Sequence, residues 1–128
     1  MQMQEFALII IKPDATERGL EAEILLELNG IGLHVARRGT IQFSTELVLD
    51  FYEWEKLDHP EEIHAYMCVT PLPVWIVTGD NTIAKVMALK TSLRKKYYSG
   101  PLKNLFHCPV SQTESQRQFN LIKERIKQ

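Results

Sequence analysis

Six consecutive apolar residues, Phe6-Ala7-Leu8-Ile9-Ile10-Ile11, form the first patterned stretch of the chain. A run that is apolar at every position predicts a strand covered on both faces, and Lys12-Pro13-Asp14 ends it. Asp14 to Glu17 has capping-box spacing, with acid in the first turn. Leu20, Ile24, Leu25 and Leu28 then recur at helical spacing, and Asn29-Gly30 supplies a stop. Leu33 to Phe43 predicts a long strand. Ser44 is placed to cap a helix whose Leu47, Phe51 and Trp54 share one face, with Glu46 near its positive end.

Asp58-His59-Pro60 breaks that helix, and a short helix near Glu61 to His64 leads into Tyr66-Met67-Cys68-Val69. Pro71-Leu72-Pro73 interrupts before Val74-Trp75-Ile76-Val77-Thr78 resumes as strand. Gly79-Asp80 makes a turn, and Asp80 can cap a helix carrying Ile83, Val86 and Met87. Lys90 to Lys103 reads as polar, basic and irregular. Leu105-Phe106-His107-Cys108 suits a last short strand. Ser111 to Glu114 repeats the capping-box spacing and opens a final helix, with Phe119, Ile122 and Ile126 on one stripe.

The resulting order, β-α-β-α-β-α-β-α, suits an α/β (α+β) sandwich of the ferredoxin-like βαββαβ type, an antiparallel sheet with helices packed on it. Parallel Rossmann winding is the alternative. It lacks the glycine-rich turn after the first strand that would hold a pyrophosphate.

Composition changes this picture little. The 128 residues are 45% hydrophobic and 24% charged, which suits one domain and argues against disorder. A net charge of −1 gives no whole-chain electrostatic grip on nucleic acid. The longest apolar run is far too short to span a bilayer and lacks the flanks of a signal peptide. Two cysteines, Cys68 and Cys108, have no metal-ligand spacing and read as reduced thiols, which points to the cytoplasm.

Several residues could carry chemistry. Lys12 directly follows the buried strand, where a charge is often only the sheet rim reaching water, but a compact ammonium there also suits phosphate oxygens. His107 lies among apolar neighbours. It is either a satisfied core imidazole or a nucleophile able to accept a phosphoryl group with cationic help. Asn104 alone would be a turn residue, and Tyr52 alone would be core with its hydroxyl at the edge. Arg94-Lys95-Lys96-Tyr97-Tyr98 is a solvated loop, a phosphate clamp or a weak nucleic-acid patch. His34, His59 and His64 read as surface or rim.

Taken together these positions resemble a known pattern. Ala7 to Ala15 with its Lys12-Pro13-Asp14, followed by Arg18-Gly19-Leu20, looks like the opening of nucleoside diphosphate kinases. Phe51-Tyr52, Tyr66-Met67, Gly79-Asp80-Asn81 and Ala84-Lys85 continue the match. Asn104-Leu105-Phe106-His107 resembles the family's Asn-x-x-His, and Ser111 matches the last serine of its His-Gly-Ser-Asp-Ser. The likeness runs in order along nearly the whole chain.

The resemblance implies transfer of the γ-phosphoryl of a nucleoside triphosphate to a nucleoside diphosphate through a phosphohistidine on His107. Mg²⁺ would travel with the phosphates, and no protein side chain is assigned as a metal ligand. Lys12 and Asn104 would contact the ribose hydroxyls. Lys12 could also favour the leaving oxygen, and Tyr52 would hold the Lys12–His107 region in place. Gln118 stands where the family orients the histidine with a carboxylate. The loop before Asn104 is shorter than the family's, so Arg94, Lys95 and Lys96 are expected to replace part of its lost positive charge. A homo-oligomer, with a dimer favoured, is also implied. The alternatives kept open are a catalytically weak nucleotide-binding or interaction module on the same fold, and a different ferredoxin-like domain with a regulatory or nucleic-acid role.

Overall fold

The structure, a computed structural model, describes residues 5–53, 60–97 and 105–128. Its elements follow in the order β1 (Phe6–Ile11), α1 (Pro13–Glu17), α2 (Glu21–Gly30), β2 (His34–Ile41), α3 (Thr45–Tyr52), α4 (Pro60–Met67), β3 (Leu72–Thr78), α5 (Thr82–Tyr97), β4 (Phe106–His107) and α6 (Gln112–Ile122). The strands form one four-stranded sheet in the order β2-β3-β1-β4, and each neighbouring pair is antiparallel. This is the ferredoxin-like arrangement, with β3 between β1 and β2 and β1 between β3 and β4. It excludes the parallel Rossmann alternative.

β1 is buried at every residue because helices cover both faces of the sheet. On one face Ala7, Ile9 and Ile11 meet Ile24 and Leu28 of α2 and Val86, Leu89 and Leu93 of α5. On the other, Leu8 and Ile10 meet Leu47 and Phe51 of α3, Met67 of α4 and Ile122 of α6. β4 is only two residues long, so it leaves part of the β1 edge unpaired. Helix α6 takes up those groups. Gln112 Oε1 accepts from Phe6 N at 2.9 Å, and Ser115 Oγ accepts from Leu8 N at 3.1 Å.

Ser44 and Ser111 cap α3 and α6 as their spacing predicts, accepting from Leu47 N at 3.2 Å and Glu114 N at 3.1 Å. The other expected boundaries shift. Asp14 and Glu17 make no capping box, because the Asp14 carboxylate is used by distant partners. Helix α2 runs through Gly30, and the left-handed residue is Gly32, at φ +82°. There Leu33 N donates to Leu28 O and Gly32 N to Asn29 O, a Schellman closure. Tyr66-Met67 ends α4 instead of forming strand, and β3 begins at Leu72 and runs through Pro73. Pro73 is tolerated because β1 joins β3 only from Val74 onward.

Three further expectations change. Helix α5 begins at Thr82, two residues past the expected cap Asp80, and the N–H of Ile83 is met by Glu5 Oε1 at 2.9 Å. Helix α5 continues to Tyr97, so the segment expected to be irregular is helical from Lys90 to Tyr97, and its remainder, 98–103, lies outside the described residues. The buried stripe of α6 is Ser115, Gln118 and Ile122, with Phe119 only partly buried and Ile126 beyond the helix. Trp54 and the Asp58-His59 break lie outside the described residues.

Candidate active site

Asp14 ties the end of β1 to the start of β4. Its Oδ2 accepts from Leu105 N at 3.0 Å and its Oδ1 from Tyr66 Oη at 2.6 Å, while Asp14 N donates to Tyr66 Oη at 2.8 Å. Lys12 N donates to Leu105 O at 2.9 Å, so both backbone groups of Leu105 are held. Leu105 itself has φ +74°, a left-handed conformation costly for a leucine and kept by those contacts. The register then sets His107 opposite Ile10, two residues before Lys12. The first and last strands of the chain thus bring the two main candidates together.

His107 is buried, 8% exposed, in a pocket with aromatic walls. Its ring centroid lies 5.0 Å from that of Phe51 and 5.2 Å from that of Tyr52, both edge-on. Its Nε2 is 2.9 Å from Gln118 Oε1. The Gln118 amide nitrogen donates to Glu114 Oε1 at 3.3 Å and to Phe51 O at 3.5 Å, so the amide oxygen must face the ring. That arrangement places the ring proton on Nε2 and leaves the Nδ1 lone pair available. Burial pushes the His107 pKa down to about 3. Gln118 opposes this shift, while the nearby Lys12, Lys90 and Arg117 charges reinforce it. The imidazole is therefore neutral across the physiological range.

Helix α6 also fixes the end of α3 that carries Tyr52. Arg117 donates to Phe51 O at 2.8 Å and to Asp50 O at 3.2 Å, a cation closing a helix C-terminus. The Tyr52 hydroxyl is buried and has no hydrogen-bond partner among the described residues, and burial raises its pKa well above the usual tyrosine value. An orphaned buried hydroxyl is costly and marks a place where a polar ligand atom would be welcome.

Positive charge gathers nearby. Lys12 is 8% exposed, and its pKa is pushed down to about 7, first by burial and then by Lys90, with Asp14 opposing and Arg94 adding to the depression. Lys90 is likewise pushed down by burial. Lys90 and Arg94, four residues apart on one face of α5, line a groove of about 210 Å³ with Met87, Thr91, Cys108 and Val110. Mutually repelling, partly desolvated cations of this kind are stabilised by an anion.

Of the three basic residues expected to serve the site, Arg94 lines this groove, which neither Lys12 nor His107 lines, and its charge acts on Lys12. Lys95 is exposed, about 100° further round the helix. Lys96 is engaged with Glu23 on α2 at 3.2 Å. Lys90 was missed, as were Arg117, Asp14 and Tyr66 as supports. Asn104 lies outside the described residues. Among the described residues no three His, Cys, Asp or Glu side chains gather to hold a metal ion. The donor set around the groove is cationic, so it does not suit a cation bound directly to protein.

The comparisons with known proteins agree with this architecture. The sequence model described as "Nucleoside diphosphate kinase" matches residues 5–125. The chain belongs to the nucleoside diphosphate kinase family. It is 31% identical over 107 residues to the nucleoside diphosphate kinase of Nitratidesulfovibrio vulgaris, covering 74% of this chain and 76% of that one. It is 28% identical over 128 residues to that of Glaesserella parasuis, covering 91% and 93%. A crystal structure of the Aquifex aeolicus nucleoside diphosphate kinase superposes with a TM-score of 0.83 at 23% identity, over 97% of this chain and 99% of that one, and shares its fold. Among the described residues no helix is long and apolar enough to cross a membrane.

Proposed function

We propose that this chain is a phosphotransferase that moves the γ-phosphoryl of a nucleoside triphosphate to a nucleoside diphosphate, with His107 as the intermediate carrier. The observation that carries the reading is a neutral imidazole with its Nδ1 lone pair free, beside a cluster of partly buried cations. Phosphoryl transfer requires little more than a positioned nucleophile and positive charge.

In the first half-reaction Nδ1 bonds to the γ-phosphorus, and the bond from phosphorus to the β,γ-bridging oxygen breaks. The diphosphate leaves with that electron pair, and Nε2–H stays hydrogen-bonded to Gln118 Oε1. In the second half an oxygen of an acceptor diphosphate attacks the phosphorus, and the N–P bond returns its pair to the imidazole. Lys12, Lys90 and Arg94 offset charge on the phosphates. The Tyr52 ring holds the imidazole from the side. Mg²⁺ would come with the nucleotide and supply counter-charge to its phosphates. Residues 1–128 act as one such domain in the cytoplasm, in a homo-oligomer with the dimer favoured.

The test is steady-state kinetics with ATP as donor and a second nucleoside diphosphate as acceptor. Parallel double-reciprocal lines, and transfer to the acceptor from isolated phosphorylated protein, are expected. Nucleotide binding without transfer would favour the alternative, a catalytically weak binding module, for which Gln118 in place of a carboxylate is the specific motive.

A further inference from the structure

We infer that Glu114 is a positioning residue for His107, supplying through the Gln118 amide the carboxylate that position 118 lacks. Three contacts on α6 carry the inference. Gln118 Oε1 is 2.9 Å from His107 Nε2, Gln118 Nε2 donates to Glu114 Oε1 at 3.3 Å, and the same nitrogen reaches Phe51 O at 3.5 Å.

A neutral amide alone is ambiguous. It can offer its oxygen or its nitrogen to an imidazole, and the two choices select opposite ring tautomers. The acceptors behind Gln118 remove the ambiguity. A carboxylate accepts only, so it draws the amide nitrogen to itself and leaves the oxygen for the ring. The Phe51 carbonyl acts in the same sense but at longer range. The carboxylate also polarises the amide, so the hydrogen bond from Nε2–H becomes stronger than an isolated amide would give. Sequence spacing supports the geometry, because residues 114 and 118 are one turn apart on a single helix face.

Glu114 is also available for this task. Its spacing to Ser111 suggested a reciprocal capping box, but only the Ser111 half is formed, by backbone N–H of Glu114. Its position in the first turn of α6 favours a negative charge. Gln118 is 2% exposed, so the amide cannot instead turn to water.

The inference deepens the proposed function but can be tested apart from it. The tautomer of His107 in the nucleotide-free protein is read at neutral pH by long-range proton–nitrogen correlation of the imidazole. Wild type is expected to hold the proton on Nε2. Glu114→Gln should give a mixture of tautomers with the fold intact, since that side chain is partly exposed and its backbone cap is kept. Loading of phosphate from ATP should slow on the order of 10-fold. Gln118→Glu alone sets two carboxylates against each other, and the double variant Glu114→Gln with Gln118→Glu should restore both the tautomer and the loading rate. An unchanged tautomer in Glu114→Gln, or a double variant no better than Gln118→Glu alone, would overturn the inference. A tautomer shift in a protein that never takes up phosphate would uphold it and remove the proposed function.

Discussion

The carboxylate of Asp14 accepts the backbone N–H of Leu105 across 91 positions of sequence at 3.0 Å. The bond is buried and joins the turn that presents Lys12 to the residue that leads into β4. With Lys12 N donating to Leu105 O, it holds Leu105 in a left-handed conformation and so aims His107.

Asp14→Ala is therefore expected to cost about 2–4 kcal/mol of folding stability, because Leu105 N–H and Tyr66 Oη both lose their acceptor. Tyr66→Phe removes part of the same network and should cost less, about 1 kcal/mol. Urea unfolding of the three proteins makes the comparison. An Asp14→Ala midpoint within error of wild type would mean that the tie does not assemble the site.

The groove cations can be separated by substitution. Lys90→Met should weaken binding of a nucleoside triphosphate about 10-fold, with a shallower dependence on salt. Lys96→Met should leave affinity unchanged, since that ammonium is turned toward Glu23. Titration calorimetry of both variants at low and moderate salt checks the pair of outcomes. Equal losses would point to long-range charge and not to the groove.

Lys12 provides a proton signature. Its pKa is lowered to about 7 in the nucleotide-free protein, so at pH 8.5 the side chain is mostly neutral. An incoming diphosphate favours the ammonium and raises that pKa. Binding at pH 8.5 should thus take up a proton, detected as a dependence of the calorimetric enthalpy on buffer ionisation heat. Uptake should shrink below pH 6, where Lys12 is already charged, and should vanish in Lys12→Met. Binding at pH 8.5 with no linked proton would contradict the burial of this ammonium.

His107 links acidity to stability. Its folded pKa of about 3 lies below the ordinary histidine value, so between those limits the unfolded chain binds more protons than the folded one. The stability it contributes is complete above about pH 6.5 and is lost as pH falls toward 3. His107→Gln should flatten the decline of the thermal midpoint over that window. Identical pH profiles in the two proteins would show that the ring protonates freely in the fold.

The parts legible in the sequence are those whose causes are local. The unbroken apolar run of β1 and the serines before α3 and α6 signal themselves within a few residues. Tyr66-Met67 departs from the expected strand because a short apolar run fits strand and helix equally well. The extension of α5 was hidden by its polar face, although Leu89 and Leu93 continue the spacing of Val86 and would have placed Lys90 and Arg94 one turn apart. Asp14 and Tyr66 could not be read from local spacing, because their partners are 91 and 52 residues away. Lys12, Tyr52 and His107 stand out singly on residue chemistry, and only the family pattern joins them to one another and to Gln118 across strands and helices that local spacing leaves unconnected.

The central claim is that His107 carries the phosphoryl group. The most direct test is brief incubation with γ-labelled ATP and Mg²⁺, followed by peptide mapping under alkaline conditions that preserve phosphohistidine. Acid-labile, base-stable label confined to the peptide containing His107, and absent from a folded His107→Ala variant, is the predicted result. Folded wild-type protein that binds nucleotide yet stays unlabelled, or label that persists in His107→Ala, would contradict it.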